Sequence, residues 1–329
     1  MTLNSYRTSQ PAVLSRREFV ASAAIGAAAW SATAHAPAAM ADEKDKPAAM
    51  PKNLVDAHSH IWTRDVKHFP LATGKTVDDL KPPSFTAEEL LAVAKPEGVG
   101  RVVLIQHHTY HSWDNAYLID AAKRFPDTFR VVGMVDDTQP HPDVEMRRLL
   151  PLRVTGFRIT SLIRGEKWLD GPGMAAMWKC AAETRQAMCC LINPADLPGV
   201  HRMCEHFPHT PVVIDHFARI GMDGQIREDD LKQLCGLAKH KHTHVKISAY
   251  YALGQKKPPY LDLLPMIRRL LDTFGPQRLM WASDSPYQIV DGHNYHDSIA
   301  LIRDRLDKIS PADRDWLLRK TAEQVFFLS

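Results

Sequence analysis

The chain has 329 residues, of which 45% are hydrophobic and 24% charged, with a formal net charge of +3 at neutral pH. This is the composition of an ordinary globular protein, and the length allows one large domain or two small ones. With so small a charge and no basic run, nothing favours binding to nucleic acid or to an anionic membrane.

The N-terminal segment, residues 1–41, is predicted to be an export signal rather than part of the fold. Residues 15–20 (SRREFV) form a twin-arginine motif, an alanine-rich apolar run follows at 21–34, and Ala39-Met40-Ala41 offers a small-x-small cleavage site. Cleavage after Ala36 is the alternative. Because the apolar run is short and poor in Leu and Ile, stable membrane insertion is disfavoured. We therefore expect twin-arginine export to the periplasm, with residues 42–53 as a polar linker.

Five cysteines are present, an odd number without the spacing of a metal site, and most lie in apolar segments. We expect them to be buried thiols, although an exported protein can oxidise a pair. They are Cys180, Cys189, Cys190, Cys204 and Cys235.

From residue 54 onward, short apolar runs rich in β-branched residues alternate with longer helical patterns. Eight strands are predicted, at 54–57, 101–106, 130–135, 154–160, 188–193, 211–215, 244–248 and 278–283. Helical patterns are predicted at 87–95, 115–125, 142–150, 174–185, 197–206, 229–240, 261–274, 296–308 and 311–327. Most of the strand runs are almost continuously apolar, which is typical of strands buried on both faces.

Eight strand–helix pairs over residues 54–329 predict an α/β fold, a single-domain (β/α)8 TIM barrel. An open, doubly wound sheet is the alternative, but no Gly-rich phosphate loop follows any predicted strand. In a closed parallel barrel the chemistry takes place where the strands end and the following loops begin. The polar residues at the strand ends are therefore the candidates for function.

Four side chains at these strand ends could form one site. His58 and His60 alternate at the end of the first strand and so point to the same side, while His216 follows the sixth strand and Asp284 the eighth. A lone His or Asp at a strand end is usually a cap or a core hydrogen bonder. Four such residues at one face favour a shared site, in which three imidazoles and a carboxylate hold one divalent metal ion, with zinc as the first choice.

A second set of alternating histidines, His240, His242 and His244, stands where the seventh strand is predicted to begin. That position is at the opposite face of the barrel, away from the strand ends that carry chemistry. We expect these three residues to form a solvated loop rather than a site.

The sequence resembles the amidohydrolase superfamily, in the amidohydrolase-related branch that includes sugar lactonases and pyrone-dicarboxylate lactonases. The resemblance runs from residue 54 to the C-terminus. Its marks are VDAHSHIW at 55–62, GFR at 156–158, DH at 215–216, SDSP at 283–286 and TAEQVF at 321–326. It implies the barrel, the metal-type histidines and a catalytic aspartate at the eighth strand, which here is Asp284.

At two strands the sequence differs from other members of the superfamily, and these differences narrow the expected metal centre and reaction. The fourth strand offers no Lys or Glu to bridge two metals, so a binuclear centre is not expected. The fifth strand ends in Asn193, where decarboxylase members place a metal-binding His, and this favours hydrolysis. The pyrone-dicarboxylate lactonases keep similar histidines and work without metal, so polarisation of the substrate by the histidines alone stays open.

We therefore predict a hydrolase that opens a lactone or a similar cyclic ester. Asp284 would act as general base, and His58, His60 and His216 would polarise the carbonyl, through a metal or directly. One alternative is a metal-dependent decarboxylase of an aromatic or muconate-type acid. The other is a non-catalytic periplasmic ligand-binding protein on the same barrel.

Arg158, at the end of the fourth strand, is the best candidate for binding a substrate carboxylate, with a salt bridge to a neighbouring acid as the alternative. Gln106, His107 and Tyr287 are further candidates for substrate contact, although adjacent strand residues such as Gln106 and His107 point opposite ways. The expected partner is thus an anionic small molecule. The aromatic candidates for the pocket wall, with loop packing as the alternative for each, are Trp62, Tyr250, Tyr251 and Tyr287.

Overall fold

A computed structural model describes residues 53–328 of the chain. The predicted export signal and the predicted linker up to residue 52 lie outside the described residues, and so does residue 329. Among the described helices, none combines the length and the apolar character needed to cross a membrane.

Eight parallel strands form one sheet in sequence order, each paired with the next along the chain. Asp284 donates its backbone N–H to the His58 carbonyl (2.8 Å), and His60 donates to the Ser285 carbonyl (2.7 Å), so the segment after β8 pairs with the end of β1. The predicted α/β barrel is confirmed. The strands are β1 Leu54–Ser59, β2 Val99–Ile105, β3 Phe129–Gly133, β4 Val154–Ile159, β5 Ala187–Cys190, β6 Val212–Ile214, β7 Thr243–Ile247 and β8 Leu279–Trp281.

Helices follow the strands and cover the outer face of the sheet. At α1, Thr86 and Glu89 form a capping box, in which each side chain accepts a hydrogen bond from the backbone N–H of the other. The helices are α1 Ala87–Ala94, α2 His108–His111, α3 Ala116–Arg124, α4 Pro142–Leu149, α5 Ser161–Arg164, α6 Pro172–Thr184, α7 Leu197–His206, α8 Glu228–Gly236, α9 Leu264–Phe274, α10 Tyr295–Ala300, α11 Pro311–Asp315 and α12 Thr321–Phe326.

The core has two layers. The larger one packs the outward side chains of the strands, such as Phe157 of β4, with side chains of the helices, such as Trp178 of α6. The smaller one fills the barrel interior with small and medium side chains such as Ala57 and Val213, and α12 adds Phe326 to it. Close packing explains Gly156, where a Cβ atom would lie 2.9 Å from the Ala187 carbonyl oxygen.

Several local predictions differ from the structure. β3 and β5 end at Gly133 and Cys190 rather than at Val135 and Asn193. β6 and β8 end earlier than predicted, at Ile214 and Trp281, so His216 and Asp284 stand on the turns that follow them. The prediction of a solvated loop at the second set of alternating histidines is wrong for His244, which is buried within β7, whereas His242 is exposed. All five cysteines are free thiols; four are buried, as the sequence predicted, whereas Cys235 is half-buried.

Candidate active site

His58, His60, His216 and Asp284 meet at the carboxyl ends of the strands, and each is at least nine-tenths buried. The Nε2 atoms of His58 and His60 are 3.4 Å apart, and each lies 3.4 Å from Asp284 Oδ1. His216 Nε2 lies 3.7 Å from Asp284 Oδ2. The structure therefore brings together four side chains that are up to 226 positions apart in the sequence, from 58 to 284.

The backbone presents two of these residues in an uncommon conformation. His216 has φ 52° and Asp284 has φ 62°, in the left-handed region that side chains other than glycine rarely adopt. Such strain persists only where neighbouring contacts impose it, and it concentrates at functional sites. Here the hydrogen bond from Asp284 N to the His58 carbonyl holds one turn, and that from Asp215 N to the Cys190 carbonyl (3.0 Å) holds the other.

Hydrogen bonds at Nδ1 fix the orientation of the His60 and His216 imidazoles. His60 Nδ1 lies 2.9 Å from the Ile105 carbonyl oxygen, which can only accept, so Nδ1 carries a proton. His216 Nδ1 lies 2.8 Å from Ser248 Oγ. In both residues Nε2 is left facing Asp284. Partners of this kind on the second nitrogen are typical of histidines that ligate metals.

His58 is surrounded by a buried ionic cluster that the sequence analysis did not identify. Lys246 Nζ lies 3.2 Å from His58 Nδ1 and 3.0 Å from Asp215 Oδ1. Arg158 Nη2 lies 2.7 Å from His58 Nε2 and 3.4 Å from Asp215 Oδ2. Two cations and one carboxylate thus share the barrel interior with the imidazole. Arg158 therefore forms the salt bridge to a neighbouring acid, Asp215, that was predicted as the alternative to substrate binding.

The electrostatics keep the imidazoles neutral and Asp215 ionised. Burial lowers the pKa of His60 to about 3, and the charge of Arg158 adds to this effect. Burial likewise lowers the pKa of His58 and of His216. For Asp215, burial opposes ionisation, but the positive charges of Lys246 and Arg158 hold the pKa well below its ordinary value. Neutral imidazole is the form that binds a metal ion.

The two oxygens of Asp284 have different surroundings. Oδ2 accepts a hydrogen bond from the Tyr251 hydroxyl (2.8 Å), whereas Oδ1 is buried without any hydrogen-bond partner. Burial raises the pKa of this carboxyl. An orphaned buried carboxylate oxygen is costly unless something binds it, so Oδ1 points to a ligand or a reacting group. Tyr251 was predicted only as a pocket wall.

Above these residues a cavity of about 540 Å³ opens to solvent. His60, His216, Asp284 and Arg158 line it, and His107 and Tyr287 form a further part of the wall, with His107 Nε2 2.5 Å from the Tyr287 hydroxyl. Gln106 does not line the cavity, because its side chain turns to the Ser112 carbonyl (2.9 Å). Trp62 is fully buried against Tyr110 and does not line the cavity either.

Within the described residues, two groups of side chains could hold a divalent ion: His58, His60 and Asp284, or His58, Asp215 and His216. In a regular tetrahedron with bonds of about 2.0–2.1 Å, the ligand atoms lie roughly 3.3–3.4 Å apart. The three 3.4 Å edges of the first group match this value. In the second group, Lys246 already neutralises Asp215. Arg158 faces the same His58 lone pair, so an ion at the first group requires it to turn away.

The sequence analysis did not assign a role in this site to Asp56, Asp215 or Lys246. Asp56, two positions before His58, accepts hydrogen bonds from Ser59, Ser283 and Tyr295 and from the backbone N–H of His58. A lysine between Val245 and Ile247 in an apolar strand is the signal that could have indicated a buried charge.

Comparison with known proteins gives a matching family and several similar proteins. Residues 55–328 match the family model described as amidohydrolase. The chain is 29% identical over 245 residues to an L-fucono-1,5-lactonase from Burkholderia ambifaria, covering 73% of this chain and 82% of the relative. It is 27% identical over 248 residues to a 4-sulfomuconolactone hydrolase from Rhizobium radiobacter, covering 73% and 77%. A solved amidohydrolase from Burkholderia multivorans with bound zinc has a TM-score of 0.69 at 21% identity, covering 84% and 100%.

Proposed function

Because the chain belongs to the amidohydrolase family and is a hydrolase of the carboxylic-ester type, we propose that it opens a lactone that bears a carboxylate, with Asp284 as general base. The observation that carries this proposal is the orphaned Asp284 Oδ1, buried at the floor of the cavity and equidistant from two imidazole Nε2 atoms. The two curated relatives act on lactones by name, which supports the reaction class.

In the proposed reaction, the Asp284 carboxylate accepts a proton from a water molecule whose oxygen bonds to the lactone carbonyl carbon. When the ring C–O bond breaks, Asp284 returns this proton to the ring oxygen. The product carries a carboxylic acid and a hydroxyl group, and the carboxylate of Asp284 is regenerated. The raised pKa of Asp284 suits both steps, because a stronger base accepts the proton more readily and still releases it to an alkoxide.

A divalent ion fits the triangle of His58, His60 and Asp284, and we propose zinc, which histidine nitrogens and carboxylate oxygens can bind. These residues would hold the ion, which would supply a Lewis acid for the lactone carbonyl. The protonation of His60 supports polarisation of the carbonyl by a metal ion over polarisation by the histidines alone. His60 Nδ1 holds the only proton of a neutral ring, so Nε2 presents a lone pair that can ligate a cation and cannot donate to an oxyanion.

Arg158, His107 and Tyr287 are proposed to contact the substrate near the reacting carbonyl. Arg158 stands closest to the histidines and can donate to a carbonyl or carboxylate oxygen once it turns from His58. The Tyr287 hydroxyl is held against His107, so both side chains keep a fixed position on the wall. Both contacts would orient the ring rather than move protons.

The test is a panel of lactones, esters, amides and aromatic acids assayed with purified protein before and after removal of metal by a chelator, together with the measured metal content. We expect lactone hydrolysis, about one metal ion per chain, and loss of turnover on chelation that zinc restores. Asp284→Asn should lower kcat roughly 100- to 10,000-fold while the circular dichroism spectrum is unchanged. Release of CO2 from an acid would favour the decarboxylase, and tight binding without turnover would favour a binding protein.

We also propose that the protein is exported to the periplasm by the twin-arginine route, on the motif at residues 15–20. Replacing Arg16 and Arg17 together by Lys should retain the precursor in the cytoplasm of the expressing bacterium. Equal amounts of mature protein in the periplasmic fraction with and without the replacement would contradict this.

A further inference from the structure

We propose that Arg219 binds the substituent carboxylate of the substrate at the wall of the cavity, and so selects acid-bearing lactones over polyhydroxylated sugar lactones. This inference rests on the proposed lactonase function and assigns the substrate class of that same site. Arg219 was not among the residues that the sequence singled out. It lies three positions after His216, on the turn that follows β6.

The backbone adopts a strained conformation that places both His216 and Arg219 on the cavity. The four residues from His216 to Arg219 all have positive φ, at 52°, 53°, 54° and 60°, and none is glycine. A left-handed turn of this kind is unfavourable for each residue. It is held because Phe217 and Ala218 between them are completely buried, and because Ala218 N donates to the Asp215 carbonyl (3.0 Å). Strain concentrated on one cavity-lining segment is typical of a functional position.

The guanidinium of Arg219 has free donors. Its Nη1 donates to Asn193 Oδ1 (3.2 Å), and within residues 53–328 it forms no ion pair with a carboxylate. Arg158, the other arginine on the cavity wall, is already engaged with Asp215 and His58. Asn193 thus steadies Arg219 while the other N–H groups remain for a ligand. A planar guanidinium suits two-point binding of a carboxylate.

The charge of the wall also favours an anion. Two guanidinium groups and one carboxylate, from Arg158, Arg219 and Asp284, are the permanently charged groups that line the cavity. The guanidinium groups outnumber the carboxylate on this wall, and a divalent ion would add further positive charge. A concave site with this balance attracts an anionic substrate and repels a cationic one.

Part of the cavity wall that Arg219 lines is apolar. Leu162 and Ile163 of α5 and Met222 line the cavity with 58%, 36% and 46% of their surface exposed. Leu191 and Leu253 add to the same lining. Hydroxyls of a sugar lactone that face Leu162, Ile163 and Met222 would lose water without gaining a hydrogen bond, which is costly. A hydrocarbon or unsaturated lactone ring with one acidic arm fits better.

The test compares two substrates that differ only in charge: a five-membered unsaturated lactone with a carboxymethyl arm, and its methyl ester. Wild-type protein is expected to prefer the acid. Arg219→Met should lower kcat/KM for the acid ~10- to 100-fold, and for the ester less than ~3-fold. Arg219→Lys should retain part of the preference. Arg269→Met is the matched control, because it removes one exposed cation from α9 that does not line the cavity.

A binding measurement separates this inference from the proposed function. Adipate, an unreactive six-carbon dicarboxylate, is titrated calorimetrically into wild-type and Arg219→Met protein, and dimethyl adipate serves as the neutral reference. We expect weaker adipate binding in Arg219→Met and no change in Arg269→Met. If neither lactone is hydrolysed but adipate binding still depends on Arg219, the lactonase proposal fails and the anion site stands. Equal losses for acid and ester, or unchanged adipate binding, would overturn the role of Arg219.

Discussion

Ser283 donates both its backbone N–H and its hydroxyl to the Asp56 carboxylate, at 2.9 Å and 2.5 Å. Asp56 lies on β1 two residues before His58, and Ser283 directly precedes Asp284. Asp56 Oδ1 also accepts from the backbone N–H of His58 (3.0 Å). One buried carboxylate therefore connects the two chain segments that present an imidazole and the proposed base, and it sets their separation.

Asp56→Ala is expected to destabilise the protein strongly, by about 3 kcal/mol or more, because it leaves buried donors on Ser59, Ser283 and Tyr295 without their acceptor. Urea unfolding monitored by circular dichroism measures this free energy. Tyr295→Phe removes only one donor to the same carboxylate, so it should cost about 1 kcal/mol. If the two variants were equally stable, Asp56 would not be the centre of the network.

Tyr251→Phe is expected to shift the acid limb of the pH profile of kcat/KM to higher pH. The Tyr251 hydroxyl donates to Asp284 Oδ2, and this hydrogen bond lowers the pKa of the carboxyl against the effect of burial. Without it the pKa of Asp284 rises further. The base works in its ionised form, so activity is then lost earlier as the pH falls.

The matched control for this variant is Tyr287→Phe. The Tyr287 ring packs against Tyr251, but its hydroxyl contacts His107 and not Asp284. It should change the rate without moving the acid limb. A shift to lower pH in Tyr251→Phe, or the same shift in both variants, would show that Tyr251 does not act through Asp284.

The sequence was sufficient for the barrel and for the convergence of four polar residues, because buried parallel strands leave continuous apolar runs and strand ends share one face. It could not give the ionic cluster. Lys246 lies inside a strand rather than at its end, and only the register of β7 with its neighbours brings its Nζ to Asp215. Arg219 was equally hidden, because its position depends on a left-handed turn that non-glycine residues seldom adopt.

Arg158→Met is expected to tighten metal binding, by roughly tenfold or more, in contrast to the usual effect of altering a site residue. The guanidinium lies 2.7 Å from the His58 Nε2 atom that is proposed to ligate the ion, so it competes for the lone pair and repels a cation. Zinc affinity is measured by competition with a chromophoric chelator, independently of turnover. Arg269→Met, which removes an exposed arginine from α9, serves as the reference. Weaker zinc binding in Arg158→Met would contradict the competition.

His244→Phe is expected to make stability less sensitive to acid. Burial lowers the pKa of His244 in the folded protein to about 4, against about 6.5 when unfolded. Between these values the unfolded state binds a proton that the folded state does not, so the contribution of His244 to stability is fully present above pH 6.5 and falls towards pH 4. The free energy of unfolding of the metal-free protein is measured at pH 7 and at pH 5. The loss between these two pH values should be about 2 kcal/mol smaller in His244→Phe than in the wild type.

His242→Gln, at the exposed neighbouring histidine, should leave the wild-type pH dependence in place. An unchanged pH dependence in His244→Phe would mean that His244 takes up its proton without unfolding, and that β7 tolerates a charge where the structure buries the ring.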